Sequence, residues 1–153
     1  MKQLFIGSLV ALALAGCKPA MTDQTPTAIT VASSQNLAAT EASLIDALAS
    51  RNLKLFTVVD HGAGATSVGA DIGQSKLFIF GNPAAGTPIM AAEPTLGLEL
   101  PMKILVRESG GDVSLHRTDI AATVRSYGVT QQDGRLSKID QTLTAIMSEA
   151  AGN

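Results

Sequence analysis

The chain has no tryptophan, only one tyrosine and four phenylalanines, and a single cysteine, Cys17. Its net charge is −2, and no block of basic residues is present. Nucleic-acid-binding domains usually have a basic surface and aromatic side chains that stack on bases, so this composition disfavours a nucleic-acid partner. A disulfide within the chain is excluded because there is only one cysteine, and stability must therefore come from packing.

Motifs that would name a reaction are also missing. The chain has no Gly-x-x-x-x-Gly-Lys-Ser/Thr run, which excludes a phosphate-loop nucleotide hydrolase, and no Gly-x-Ser-x-Gly run of the serine hydrolases. Conceivable metal ligands occur, but no helical histidine pair and no familiar spacing organises them. The sequence therefore favours a non-enzymatic protein without deciding the question, and leaves any metal or cofactor unidentified. The conceivable ligands are Asp60, His61, Met90, Glu99 and His116.

The N-terminal segment has the pattern of a bacterial lipoprotein signal. Lys2 precedes an apolar run over Leu4 to Ala15, which is as long as the apolar part of a signal peptide and too short to span a bilayer. Two small residues then precede Cys17. We predict a signal peptide over residues 1–16 and acylation of Cys17. Removal of residues 1–16 takes away Lys2 and no acidic residue, so the net charge changes from −2 to −3.

The residues after the cysteine are expected to separate a membrane from a folded domain. Residues 17–28 are polar, contain two prolines and show no periodicity, so we predict a flexible tether behind the acylated Cys17. Lys18 stands where an aspartate would signal retention at the inner membrane. The expected location is therefore the outer membrane, facing the periplasm, with the lipid as membrane anchor.

Residues 29–153 have the length of one domain. Their strands are joined partly by hairpins and partly by helices, which predicts a two-layer α+β domain with a mostly antiparallel sheet and helices packed on one face. Ser109-Gly110-Gly111-Asp112 is expected to form a tight hairpin turn. Two strands, Leu53–Val59 and Leu77–Phe80, are expected to be central and buried. The other predicted strands are Ile29–Val31, Lys103–Arg107 and Val113–Arg117.

Helical spacing predicts five helices, the last of which is amphipathic. Thr87 followed by Pro88 suits an N-cap and a first helical position. The first predicted helix begins near Thr40 and ends at Asn52, and the second covers Gly62 to Ile72. The third runs from Thr87 to Ala92. The fourth follows Asp119 and ends at Tyr127, and the fifth spans about 135–149.

Two loops carry the residues best suited to chemistry. Asp60 and His61 follow one predicted strand, while Asn82 and Thr87 follow the next. If these strands run side by side in the same direction, the loops meet at one edge of the sheet, where helix starts can hold an anion and Asp or His can bind a metal or transfer a proton. We therefore expect a pocket there, with Glu99 as a further candidate. The alternative is that Asp60 and Asn82 cap turns and His61 hydrogen-bonds within the interior.

Four strings resemble the domain of unknown function 302 family in content, order and spacing. The resemblance covers about Ile29 to Tyr127, and its most specific part is the Phe-Gly-Asn-Pro run followed by Gly-Thr. It implies an α+β domain and homodimers, and it implies no established reaction. Glu99 stands where the family more often has aspartate, and His116 where an aromatic is more usual. The strings are Val59-Asp60-His61, Ile79-Phe80-Gly81-Asn82-Pro83, Gly86-Thr87-Pro88-Ile89-Met90 and Leu98-Glu99-Leu100-Pro101-Met102-Lys103.

Three functional hypotheses remain at this point. The leading one is a membrane-anchored periplasmic domain that binds a small ligand or ion near Asp60, His61, Asn82 and Thr87, as a possible homodimer. The second is a small-molecule enzyme with His61 as general acid or base and Asp60 or Glu99 orienting it. The third is a protein-interaction module without a small-molecule site.

Overall fold

A computed structural model of the protein describes residues 28–153. The predicted signal peptide over residues 1–16, the lipidation site Cys17 and all but the last residue of the predicted tether lie outside the described residues. Within the described range, no helix is both long enough and apolar enough to cross a membrane.

Five antiparallel strands form one open sheet in the order β1-β5-β4-β3-β2, so β1 and β2 are its edges. The predicted hairpin joins β4 and β5, and Gly110 and Gly111 adopt φ angles of 64° and 90°, which glycine reaches without steric cost. The expected α+β fold with a single antiparallel sheet is confirmed. The strands are β1 (Ala28–Ala32), β2 (Lys54–Asp60), β3 (Ser75–Gly81), β4 (Met102–Ser109) and β5 (Asp112–Thr118).

Among residues 28–153, four of the five helices begin after a side chain that caps the first turn. The caps are Asn36, Asp60, Asn82 and Asp119, and each side-chain oxygen accepts a hydrogen bond from a backbone N–H at 2.8 to 2.9 Å. Such caps typically stabilise a helix by about 1 kcal/mol. The helices are α1 (Leu37–Ser50), α2 (His61–Ser67), α3 (Pro83–Ala92), α4 (Ile120–Ser126) and α5 (Asp133–Ala150), with a 3₁₀ turn at Pro94–Leu98.

One face of the sheet packs against helices and forms the core. Phe78 and Phe80 on β3 lie on this face with Ile104 and Val106 on β4, and all four are buried. Complete burial of one large apolar side chain contributes about 1.5–3 kcal/mol. The helices supply Leu44 and Leu48 from α1, Ile89 from α3, Ile120 and Val124 from α4, and Leu136, Leu143 and Ile146 from α5.

The opposite face of the sheet is helix-free over the described residues. Leu77 pairs with both Val59 and Leu105, so these three apolar side chains form one row across β2, β3 and β4, and Ile79 lies beside Leu77 on the same face. None of the four belongs to the buried core, and Val59 is 40% exposed. The sheet is therefore covered on one side only, as predicted.

Three predicted elements differ from the structure. The helix expected over Gly62 to Ile72 already ends at Ser67, since Gly69 follows with a φ of 78°, outside the helical range. The strand expected at Leu53–Val59 to be central and buried is the edge strand β2, whose residues beyond Leu55 are exposed. The helix expected to have Thr87 as its N-cap has its N-cap five residues earlier, at Asn82, and contains Pro88. Asn82 caps this earlier start and Pro83 suits the first turn, so the helix forms although Pro88 gives up one internal hydrogen bond.

Candidate functional site

The structure separates the two loops that were expected to meet. β2 and β3 are antiparallel, with Asp60 opposite Lys76 and Lys54 opposite Gly81. Asp60 and Asn82 consequently follow opposite ends of the strand pair. The strand rise of about 3.4 Å per residue puts those ends roughly 17 Å apart. The parallel arrangement required for a single pocket is absent from β2 and β3.

Asp60 and His61 lie at the end of the sheet that also carries the hairpin turn. The Asp60 side chain caps α2, with Oδ1 accepting from the Ala63 N–H at 2.8 Å, and His61 is an exposed first residue of that helix. An open depression beside them has mainly polar walls. Within residues 28–153, no group of three or more His, Cys, Asp or Glu side chains is arranged to hold a metal ion. The depression is lined by Asp60, Thr66, Asp71, Gln74 and Glu108 among others.

Asn82 and Thr87 lie at the other end of the sheet, where they line a cavity of about 530 Å³. Asn82 also caps α3, with its Oδ1 accepting from the Ala84 N–H at 2.9 Å. A cavity of this size is within the range that holds small-molecule ligands in proteins. Its floor and the α3 side are formed by Leu53, Phe80, Met102, Gly86, Ile89 and Met90.

Helix α5 forms the facing wall of the cavity. Arg135, Lys138, Ile139, Thr142 and Leu143 are spaced three and four residues apart, which places them along one stripe of the helix. Arg135 and Lys138 are exposed, Ile139 is half-buried and Leu143 is 2% exposed. The wall therefore changes from cationic and solvated to apolar and buried along the helix.

The charged groups of the cavity are all cationic. Arg51 is held by Glu149 through an ion pair of 2.8 Å and donates to the Ala47 carbonyl at 2.9 Å. Arg135 donates from Nε to the neutral Gln132 side chain at 3.3 Å. Over residues 28–153, neither Arg135 nor Lys138 forms an ion pair, and no aspartate or glutamate lines the cavity.

Glu99 does not line the cavity and forms hydrogen bonds elsewhere. Its carboxylate accepts the Tyr127 hydroxyl at 2.9 Å, and its backbone carbonyl accepts Lys103 Nζ at 3.0 Å. The hydrogen bond to Glu99, reinforced by desolvation and negative charge, raises the pKa of Tyr127 above its ordinary value of 10.0. Glu99 therefore joins the segment before β4 to the end of α4, next to Leu100, which does line the cavity.

His116 occupies a second polar cluster, on the helix-free face of the sheet. Nδ1 lies 2.9 Å from the Thr30 hydroxyl and Nε2 lies 2.9 Å from the Ser114 hydroxyl. Desolvation, together with the positive charge of Arg107, lowers the pKa of His116 below its ordinary value of 6.5. The imidazole is therefore held preferentially in its neutral form.

These features define a single-domain α+β protein in which helices cover one face of an open antiparallel sheet. The chain belongs to the DUF302 family, a domain of unknown function, whose model matches residues 29–150. The crystal structure of an uncharacterized conserved DUF302 protein from Bacillus stearothermophilus superposes with a TM-score of 0.75 and 16% sequence identity, covering 80% of this chain and 97% of that one. At this identity the likeness shows the fold alone.

Part of the chain is also similar to proteins that are named as ion channels. The chain is 40% identical over 82 residues to the fluoride-specific ion channel FluC 1 of Brucella suis and to FluC 1 of Brucella abortus. The match covers 54% of this chain but only 32% and 30% of those two proteins. The chain thus spans about a third of the length of the relatives that it matches.

Nothing in the sequence pattern indicates the cationic side of the cavity. Asn82 and Thr87 were expected in a pocket, whereas Arg135 and Lys138 were not. The apolar spacing of α5 predicts an amphipathic helix, but it cannot say that the first turns of this helix lie opposite α3. That arrangement depends on how both helices pack on the sheet.

Proposed function

We propose that this domain binds an apolar small molecule in the cavity between α3 and α5. The observation that carries the proposal is a cavity of about 530 Å³ whose floor is made by Phe80 and Leu53 and whose walls include Met90 and Ile139. Apolar walls with few polar groups are typical of ligand pockets. Methionine adapts to ligands of differing shape because its side chain is unbranched and polarizable.

Binding fits the cavity better than catalysis does. Among the described residues that line it, none is a histidine, serine, cysteine, aspartate or glutamate. The cavity walls therefore supply no imidazole or carboxylate as a general base and no activated nucleophile. His61, the expected general acid or base, is exposed beyond the other end of the sheet.

The test uses N-phenyl-1-naphthylamine, a neutral apolar fluorescent probe, and a variant that fills the cavity. An added Cβ at Gly86 would have only Leu100 Cδ1 nearby, at 3.7 Å, so Gly86→Leu projects a side chain into the space without meeting backbone. We expect the probe to bind the native domain, and Gly86→Leu to weaken it by at least about tenfold. Gly64→Leu is the matched control, because Gly64 lies in α2 with nothing within 4 Å of its added Cβ.

Absence of probe binding to the native domain would overturn the proposal. Equal affinity for the native domain and Gly86→Leu would also overturn it, because the probe would then occupy another surface. Circular dichroism and thermal unfolding of both leucine variants establish that each one is folded before its affinity is interpreted.

The domain is further proposed to be held at the outer membrane, facing the periplasm, through acylated Cys17. Its N-terminal pattern supports this location. β1 begins at Ala28 opposite Thr118, the end of β5 that lies farthest from the hairpin, and the cavity residues Gly81 and Met102 belong to the same end of the sheet. The tether would therefore join the domain at the same end of the sheet as the cavity.

Expression of the full chain and of Cys17→Ser tests this anchoring. The native chain should partition into detergent and carry the mass of acyl groups on Cys17, whereas Cys17→Ser should partition into the aqueous phase. Aqueous partitioning of the unmodified native chain would overturn the anchoring proposal and leave the cavity proposal untouched.

We propose that the domain forms a homodimer through the helix-free face of the sheet. The row of Val59, Leu77 and Leu105, with Ile79 beside it, is the largest group of apolar side chains on that face. Contiguous apolar surface of this kind marks interfaces more often than free surface. In sedimentation equilibrium, Leu105→Lys should shift the mass from dimer to monomer, whereas Leu98→Lys, at a residue 77% exposed on the 3₁₀ turn, should not. A monomeric native domain would overturn this arrangement.

The channel activity named for the Brucella relatives is not proposed for this chain. Their matched segment is about a third or less of each protein, so most of each channel protein has no counterpart in the alignment. The inner, apolar part of the cavity is also poorly suited to a small hydrated anion, because burial there would remove its hydration without replacement.

A further inference from the structure

The solvent-facing part of the cavity carries two cationic groups that form no ion pair with any residue the structure describes. Arg135 and Lys138 are exposed residues of the α5 stripe, while Ile139 and Leu143 continue the same stripe into the buried part of the cavity. Within residues 28–153, neither cation forms an ion pair. One wall thus presents positive charge at its outer end and apolar surface at its inner end.

The third cation of the cavity is already neutralised. Arg51 pairs with Glu149 at 2.8 Å and donates to the Ala47 carbonyl at 2.9 Å. Arg135 Nε donates to a neutral amide oxygen, that of Gln132, at 3.3 Å, which leaves its positive charge uncompensated. The free positive charge is therefore concentrated on Arg135 and Lys138.

We propose that the ligand of this cavity is a single-chain amphiphile with an anionic head group, a carboxylate or a phosphate. The inference rests on the proposed function, since it names the ligand class of the same cavity. The alkyl chain lies against Phe80, Met90 and Ile139, and the head group accepts hydrogen bonds from Arg135 and Lys138. Every buried methylene of the chain adds to the affinity, so the chain supplies most of the affinity and the cations select the head group.

Other ligand classes match the cavity less well. A cationic amphiphile would place like charges together at Arg135 and Lys138, which is unfavourable. A neutral apolar molecule would fill the inner part and leave both cations without a partner. A small inorganic anion would pair with the cations and leave the apolar wall at Ile139 and Leu143 empty. Only an anionic amphiphile uses both ends of the stripe.

The experiment measures displacement of N-phenyl-1-naphthylamine by four probes that share a twelve-carbon chain. They are dodecanoate, dodecyl phosphate, dodecan-1-ol and dodecyltrimethylammonium, each used below its micelle concentration. The test variant is Arg135→Gln/Lys138→Gln. The control variant is Arg107→Gln/Arg125→Gln, which removes two positive charges from β4 and α4, at residues that do not line the cavity. The exposed pair of Arg125 with Asp133, at 3.5 Å, contributes little to stability.

We expect at least one anionic probe to bind the native domain about tenfold or more tightly than dodecan-1-ol, as a charge-assisted hydrogen bond would give. The test variant should lose this preference and keep its affinity for dodecan-1-ol, while the control variant should keep both. The preference should shrink in 1 M salt, because the head group is solvent-exposed. Dodecanoate and dodecyl phosphate together report whether a carboxylate or a phosphate is preferred.

The outcomes separate this inference from the proposed function. Equal binding of dodecan-1-ol and both anionic probes, with no effect of the test variant, would overturn the head-group inference and leave apolar binding in the cavity intact. Tighter binding of dodecyltrimethylammonium than of the anions would also overturn it. If none of the four probes displaces the dye and the dye itself fails to bind, the proposed function is overturned as well.

Discussion

Arg117 Nη2 donates to Asp140 Oδ1 at 2.7 Å and so joins the C-terminal end of β5 to α5. The Arg117 side chain is 1% exposed, whereas that of Asp140 is 39% exposed. Thr144 Oγ1 accepts a second hydrogen bond from the same guanidinium nitrogen at 3.1 Å, and Arg117 Nε has no partner among the described residues. The positive charge is thus buried on the sheet, and the negative charge that balances it lies at the surface.

This asymmetry predicts unequal effects of removing the two partners. Asp140→Ala leaves a buried, unpaired cation and should lower the free energy of unfolding by about 2–3 kcal/mol, less than for a wholly buried pair because water reaches Asp140. Arg117→Met leaves a carboxylate that water can solvate and should change stability by about 1 kcal/mol or less. Urea unfolding of both variants measures this, and a larger loss for Arg117→Met would contradict it.

Two glycines of α2 should respond in opposite ways to alanine. A Cβ on Gly62 would lie 2.8 Å from the Gly73 carbonyl oxygen and 3.3 Å from the Ser75 nitrogen, both backbone atoms, whereas a Cβ on Gly64 would have nothing within 4 Å. We expect Gly62→Ala to destabilise the domain by about 1–3 kcal/mol and Gly64→Ala to stabilise it by about 0.5–1 kcal/mol. Thermal unfolding of both variants measures the contrast, and equal midpoints would refute it.

Much of the fold could be predicted because local signals agreed with it. The Gly110-Gly111 turn and the apolar spacing near the C-terminus indicate a hairpin and a long helix. The start of α3 could not be chosen locally, because Asn82-Pro83 and Thr87-Pro88 both look like a cap followed by a first helical residue. The helix begins at Asn82-Pro83, because β3 ends at Gly81, directly before this pair.

The position of a strand in the sheet is not a local property. β2 and β3 both consist of apolar, strand-favouring residues, yet β3 has a neighbour on each side and β2 only on one. Their relative direction also decides the site. Residues 61–74 are long enough either for a parallel crossover or for an antiparallel return, and tertiary packing selects the return. For this reason only Asn82 and Thr87 of the four expected pocket residues line the cavity, whereas Asp60 and His61 lie at the other end of the sheet.

His116 should make stability depend on pH. Its pKa in the folded domain lies below the ordinary value of 6.5, because of desolvation and the nearby charge of Arg107. The unfolded chain therefore binds the proton more readily than the folded one. Stability is highest above about pH 6.5 and falls as the pH decreases from there towards the folded-state pKa, below which it no longer changes through this group.

Substitution separates His116 from the other histidine. His116→Tyr removes the titrating group and should flatten the dependence of unfolding free energy on pH just below 6.5. His61→Gln should retain that dependence, since it leaves His116 and its two hydrogen-bond partners unchanged and its own side chain is exposed. Urea midpoints at several pH values give the comparison. An unchanged slope in His116→Tyr would assign the dependence to carboxylates.

Three further substitutions distinguish two possible ligand sites. One is a joint site formed by the loops after β2 and β3, and the other is the cavity beside α3 alone. Asp60→Ala and Asn82→Ala each remove one helix-capping hydrogen bond, so each should destabilise the domain by about 1 kcal/mol. Only Asn82 lines the cavity, so only Asn82→Ala should weaken binding of N-phenyl-1-naphthylamine, by a few-fold, as the α3 wall loosens. His61→Ala should alter neither stability nor affinity. Loss of probe binding in His61→Ala would instead place the ligand at the loop after β2, because a side chain so far from α3 cannot act on the cavity by contact.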